Sequence, residues 1–205
     1  MAIVCSNVNE LSALAHEMHE VTSVQGSKLL RDYETVFNSL KSHWKGSDAN
    51  KNLNDLKVVY GELATLITKL DNVMIEVNNS EVMPLLAHVR ALGGDCVAGE
   101  TIGGTLNVTM DLSFELAGAE IYTDAAIVQD AASFESIPVD FERFVATLNE
   151  AKDRLCSNWT EGAGIEDVKT LFNHFNDNVG TYLEQLNVVK ENLATVATLK
   201  QQMMN

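Results

Sequence analysis

The sequence has little proline, little cysteine and few basic residues, and each shortage excludes something. Only Pro84 and Pro138 interrupt 205 residues, so long helices are possible and each proline marks a boundary. Cys5, Cys96 and Cys156 are an odd number with no Cys-x-x-Cys spacing, which argues against a disulfide framework and a zinc ribbon. With 14 Lys and Arg against 29 Asp and Glu, the net charge is −15. The basic surface that a phosphate backbone or an anionic membrane requires is therefore missing, and no nucleic-acid partner is expected. No apolar run approaches the roughly 20 residues that span a bilayer, so no membrane span is expected. The opening Met1-Ala-Ile-Val-Cys-Ser lacks the basic segment and apolar length of a Sec-type signal peptide, and the expected compartment is cytoplasmic.

Catalytic signatures are missing too. There is no Gly-x-Ser-x-Gly, no Cys/His pairing, no Walker motif and no EF-hand spacing. No catalytic residue and no cofactor are expected.

What is present is helical periodicity. Ser6 and Asn7 are candidate N-caps, with Glu10 placed for a capping box with Asn7. Apolar residues then recur every three or four positions through Val8, Leu11, Ala15, Met18, Leu30, Tyr33, Phe37, Leu40 and Trp44, an amphipathic stripe. Gly26 is the one breaker, and predicts either one long helix or a kink near Gln25 to Ser27. Trp44-Lys45-Gly46 ends the run. Gly46 suits the left-handed residue that closes a helix, and Ser47 or Asp48 caps the next, whose stripe continues through Leu53, Leu56, Tyr60, Leu63, Ile67 and Leu70 to Val77. Residues 6–78 thus form a helical hairpin.

Residues 79–137 differ. From Ala91 to Glu142 there are ten acidic side chains and no Lys or Arg, with glycines at 93, 94, 99, 103 and 104. Within this acidic insertion Leu106, Val108, Met110, Leu112, Phe114 and Leu116 alternate with polar residues, which predicts a half-buried β-strand at about 105–116. Its partner is expected from Cys96–Ile102, from Glu120–Val128, or from another molecule.

At Pro138, suited to a first helical turn, the helical period returns through Phe141, Phe144, Leu148 and Leu155 to Trp159-Thr160-Glu161-Gly162. It resumes from Ile165 to Leu199. Residues 138–200 form a second, degenerate hairpin: shifting by 115 sets Trp44 on Trp159, Leu56 on Leu171 and Leu40 on Leu155. The expected fold is mainly α, two antiparallel helical hairpins forming an elongated four-helix bundle with a small β-containing insertion.

Two amphipathic helices joined at Trp-x-Gly resemble the WXG family of small helical-hairpin proteins handled by type VII (ESX-type) secretion. Trp44-Lys45-Gly46 followed by Ser47, Asp48 and Ala49 carries the resemblance across about residues 6–78, and Trp159 with Gly162 carries it more weakly across 139–200. The resemblance implies a non-enzymatic interaction protein, a tandem or fused dimer of the family unit. Its partner would be the secretion machinery or a co-secreted helical protein, with a homo-oligomer as an alternative, and export would need no cleaved signal peptide. Trp44, Gly46, Trp159 and Gly162 are then the turn and interaction residues. The family's export signal, Tyr followed four residues on by Asp or Glu, has no counterpart here, since Tyr182 is followed by Leu186.

The nearest approach to a metal cluster is His16-Glu17-Met18-His19-Glu20. Two histidines three apart share a helix face, but a zincin places them four apart around a Glu. A ligand- or metal-binding helical sensor or carrier using His16 and His19 is the second reading.

Overall fold

The computed structural model describes residues 4–118 and 121–204 and is mainly helical. Its elements are β1 (Val4–Cys5), α1 (Val8–Glu20), a π-helical turn at Val21–Gly26, α2 (Ser27–His43), β2 (Trp44–Lys45), α3 (Ser47–Val77), a second π-helical turn at Asn78–Val82, and α4 (Met83–Ala91). After a long non-helical stretch come β3 (Tyr122–Thr123), α5 (Ile127–Phe134), α6 (Ile137–Asn158), β4 (Trp159–Glu161) and α7 (Ala163–Met204). No described helix is long and apolar enough to cross a membrane.

The chain divides into two compact units. Unit one contains Met1–Ser27, Thr65–Val108 and Phe144–Asn176; unit two contains Lys28–Ala64, Thr109–Arg143 and Asp177–Asn205. In unit one, Asn7 caps α1 by accepting from the Asn9 N–H, while its own Nδ2 donates to Glu10 Oε1 at 2.8 Å. Leu11, Ala15 and Met18 are buried beneath. Of the two expectations at Gly26, one long helix or a kink, the chain stays helical from Val8 to His43 with a π-helical turn at Val21–Gly26, and the glycine is required by packing: a Cβ there would lie 2.9 Å from Ile67 Cδ1 and 3.1 Å from Phe144 Cζ. In unit two the stripe of α2 buries Leu30, Tyr33, Phe37 and Leu40 completely. At about 1.5–3 kcal/mol for each large apolar side chain removed from water, such stripes offset the entropy of ordering the helices. Contacts run in opposite chain directions along the first helical arm and α3: His19 meets Asp71 within unit one, and Tyr33 stacks on Tyr60 within unit two with centroids 4.6 Å apart.

Three features differ from the sequence expectation. The short helix that the sequence offers over Glu81–Leu92 is present as α4, but it is joined to the helix begun at Ser47 through the second π-helical turn, with no break near residue 78. The first arm of the second half starts before Pro138: α5 precedes α6, so Ile127–Asn158 parallels Val8–His43, with Glu135 and Ser136 forming the turn between them. The predicted strand at about 105–116 pairs with nothing among the described residues. Its alternation holds as far as Phe114, with Leu112 buried, Leu106, Val108, Met110 and Phe114 partly covered, and Thr105, Asn107, Thr109, Asp111, Ser113 and Glu115 exposed, but Leu116 is exposed as well. The segment forms no strand: Leu112 N–H turns back to Met110 O at 3.2 Å, and helix side chains support the main chain at Asp111 and Ser113. The sheets present are two-stranded and antiparallel, β1 with β4 and β2 with β3.

Candidate functional site

The two tryptophan turns share one construction. At the first, α2 ends at His43 and Trp44–Lys45 pairs with Tyr122–Thr123, in the register Trp44 to Thr123 and Lys45 to Tyr122. Gly46 then takes φ 128° and α3 begins. At the second, α6 ends at Asn158, Trp159–Glu161 pairs with Val4–Cys5, and Gly162 takes φ 152° before α7. The main-chain bond beside each pair is also equivalent, Asp124 N to His43 O and Ser6 N to Asn158 O, each 2.8 Å. An L residue is strained at either glycine. Substitution of Gly162 is disfavoured twice over, since a Cβ there would also sit 2.8 Å from Trp159 Nε1.

Both tryptophans face inward. Trp44 is 5% exposed and Trp159 fully buried, the Trp159 indole N–H donating to Glu161 O at 2.8 Å. The indoles therefore close their own turns, and a partner would meet the exposed Lys45, Ser47 and Asp48 at one turn or Thr160, Glu161 and Ala163 at the other. The sequence missed Val4–Cys5 as a pairing segment, and it offered Glu120–Val128 as a strand for residues 105–116, whereas Tyr122–Thr123 pairs with Trp44–Lys45. Two-residue strands leave no periodic signal. The available hint was a polar residue just after each, Asn7 capping α1 through Asn9 N and Asp124 Oδ1 accepting from Ala126 N in the turn before α5.

His16 and His19 line one cavity with Glu20 and Glu100, but their ring nitrogens bond different groups. His16 Nε2 donates to Glu100 O at 2.9 Å. His19 Nδ1 lies 2.7 Å from Asp71 Oδ1, which also accepts from Thr22 Oγ1 at 2.7 Å. Asp71 is completely buried, and its Oδ2 has no hydrogen-bond partner. No group of three metal-ligating side chains occurs among the described residues. Unit two has a parallel pair, His43 Nδ1 to Asp130 Oδ2 at 2.7 Å, with Ser39 Oγ donating to Asp130 Oδ1 at 2.6 Å. The cysteines are free thiols. Burial raises the pKa of Cys5 and Cys156 above the ordinary thiol value, which lowers thiolate content and reactivity.

The acidic connection is held the same way in both units. In unit one, Asn9, Ser12 and His16, spaced i, i+3, i+7 on α1, address the main chain of Val97 and Glu100. Asn79 clamps both the N–H and the C=O of Ile102, at 2.9 and 2.8 Å. In unit two, Glu34, Phe37 and Lys41, at the same spacing on α2, address Asp111 N, the Phe114 ring and Ser113 O. Asn50 clamps both the N–H and the C=O of Ala117, at 3.1 and 2.9 Å. An asparagine amide offers one donor and one acceptor side by side, as a neighbouring strand does. This is the chemistry that replaces the missing ladder.

No protein-family model, no curated protein and no solved structure matches the chain.

Proposed function

We propose that this chain is a non-enzymatic interaction protein, a tandem of the WXG-type helical hairpin working in type VII secretion as a secreted factor or as the partner of one. In this reading the two hairpins, Val8–Ala91 and Ile127–Met204, complete a four-helix bundle within one chain and stand in for the two subunits of a family dimer. The observation that supports it is the repeated turn: a buried tryptophan leaving a helix, an extended two- or three-residue pairing, and a glycine at positive φ opening the next helix. Each turn is held by the lead-in segment of the other half, β3 on the Trp44 turn and β1 on the Trp159 turn. A chain closed in this way needs no second copy to complete its turns. The recognition surface is the outside of the turn, Lys45 with Ser47 and Asp48.

The test is export. The chain should accumulate in the culture medium of its own organism, cease to do so when the type VII secretion ATPase is disabled, and be exported poorly as the Lys45→Glu variant. Export that persists without the ATPase, or no export from an organism whose system is active, would overturn the proposal.

A further inference from the structure

We propose that the cavity between α1 and residues 97–100, within unit one, binds a small organic cation, an alkylammonium with a short apolar chain, whose charged head donates to His19 Nε2 between the carboxylates of Glu20 and Glu100. Such binding goes beyond the secretion reading and does not rest on it.

The cavity measures about 620 Å³, and the wall facing α1 is fixed. Glu100 O accepts from His16 Nε2 at 2.9 Å and from Asn78 Nδ2 at 2.8 Å, while Glu100 N donates to Ser12 Oγ at 3.4 Å. Asn9 Oδ1 accepts from Val97 N at 2.9 Å. Gly99 lets this wall press inward, since a Cβ there would fall 2.6 Å from Leu86 Cδ1 and 2.7 Å from Met83 Sδ. A wall set before the ligand arrives spares part of the ordering cost of binding. The exposed side chains of Val24 and Val97 give the cavity its apolar surface.

Charge selects the occupant. No Lys or Arg lines the cavity. Glu17 is paired with Arg154, whereas the carboxylates of Glu20 and Glu100 meet no cation among the described residues. The second pointer is His19, whose Nδ1 lies 2.7 Å from the completely buried Asp71. A carboxylate only accepts, so Nδ1 carries the proton and the neutral ring keeps its lone pair on Nε2, at the edge turned away from Asp71. A carboxylate behind an imidazole is the arrangement that orients a histidine toward a ligand. Asp71 Oδ2 has no partner, and no basic side chain but His19 meets Asp71 among the described residues. A buried carboxylate without a full countercharge is costly, and a cation on Nε2 supplies the missing charge across the ring. A metal ion would need a third converging ligand, and no such group occurs among the described residues. An ammonium needs only acceptors at hydrogen-bond distance, and the long, exposed side chains of Glu20 and Glu100 can swing onto one seated at His19.

The experiment is an NMR titration of the full chain at constant pH, with n-butylamine and, as its anionic counterpart, butanoate. Butylamine should saturate with a Kd of about 1 mM or tighter, shifting the His19 ring and the amides of Val97–Glu100, while butanoate shifts neither. Glu20→Gln with Glu100→Gln, both at exposed side chains, should weaken the amine about tenfold, as losing hydrogen bonds to charged groups does. Glu191→Gln, exposed on α7 in unit two, should leave its affinity unchanged. The absence of a saturable shift at His19 would overturn the proposal. So would equal weakening by Glu191→Gln, which marks attraction to net charge only, or saturation by Zn²⁺ where butylamine does not bind. If the double variant loses the wild-type circular dichroism, the contrast between butylamine and butanoate on the wild-type chain decides, and equal responses to the two overturn the proposal.

Discussion

The Trp44 and Trp159 turns are built alike but sealed differently. At Trp159 the indole is fully buried and bonded to Glu161 O, and Gly162 lies directly beneath its ring. The preceding residue, Asn158, donates to Glu10 Oε2 at 3.1 Å. At Trp44 the preceding residue is His43, bonded to an almost buried Asp130 that also takes a serine hydroxyl. The pairing segments differ in origin, Val4–Cys5 at one turn and Tyr122–Thr123, directly after the acidic connection, at the other. One backbone solution is thus reached with two sets of side chains. The backbone pattern of tryptophan, short pairing and positive-φ glycine is the shared requirement, and the polar groups around it are local choices.

The largest expected effect is removal of an indole. Trp159→Ala should destabilise the chain by about 3–5 kcal/mol, as large buried aromatics do. Trp44→Ala, at a slightly exposed ring, should fall at the lower end of that range. Urea midpoints of the two variants check the order, and a larger loss at Trp44 would break the comparison. Next comes the pair of buried carboxylates. His19→Ala leaves Asp71 fully buried with one oxygen already unpartnered and should cost about 3 kcal/mol. His43→Ala leaves Asp130 its Ser39 hydroxyl and should cost about half as much. Equal losses in thermal unfolding would show that the two environments do not differ. Gly162→Ala should cost about 2 kcal/mol from backbone strain and the crowded indole, against about 1 kcal/mol for Gly46→Ala, read from the same urea titrations.

Smaller effects compare the two asparagine clamps. Asn79→Ala and Asn50→Ala each remove a donor and an acceptor from an extended main chain, a loss of about 1–2 kcal/mol. Amide exchange should accelerate at Ile102 in the first variant and at Ala117 in the second. Acceleration at both sites in either variant would mean that the two units do not hold the connection independently. The smallest effect is a pH dependence. Asp124 titrates below its ordinary value of 3.8, held there first by the Ala126 N–H and then by the Tyr122 hydroxyl. Its contribution is therefore present above the unfolded value and is lost as pH falls through the lowered folded value. Asp124→Asn should remove that acid-side dependence at the Trp44 turn and leave the Trp159 turn unchanged, followed by the Trp44 and Trp159 indole resonances.

Much of this fold is written in the sequence. Both turns were legible because a tryptophan at the end of an apolar stripe, followed by glycine, carries helix period and chain reversal together. The α1 cap was legible in Asn7 and Glu10. What escaped shares a physical cause: a local pattern reports backbone shape and not the partner that satisfies it. The alternation from Leu106 to Leu116 reports an extended chain with two faces, and cannot report that Asn50 and Lys41 take the place of a neighbouring strand. His16 and His19 share a helix face, as a metal pair does, yet one addresses Glu100 O and the other a carboxylate on α3, about fifty positions away in the chain. The arm before α6 was hidden because Pro138 drew the helix start to itself, although Ile127 and Phe134 carry the buried positions of α5.

Each turn is held by the lead-in segment of the other half. Amide hydrogen exchange at Ser6 and Asp124, bonded to Asn158 O and His43 O at 2.8 Å each, tests it most directly. Both amides should be protected well beyond exposed-loop rates in the monomeric chain, with Trp159→Ala releasing Ser6 and Trp44→Ala releasing Asp124. Exchange of both at unprotected rates in the wild-type chain would contradict it.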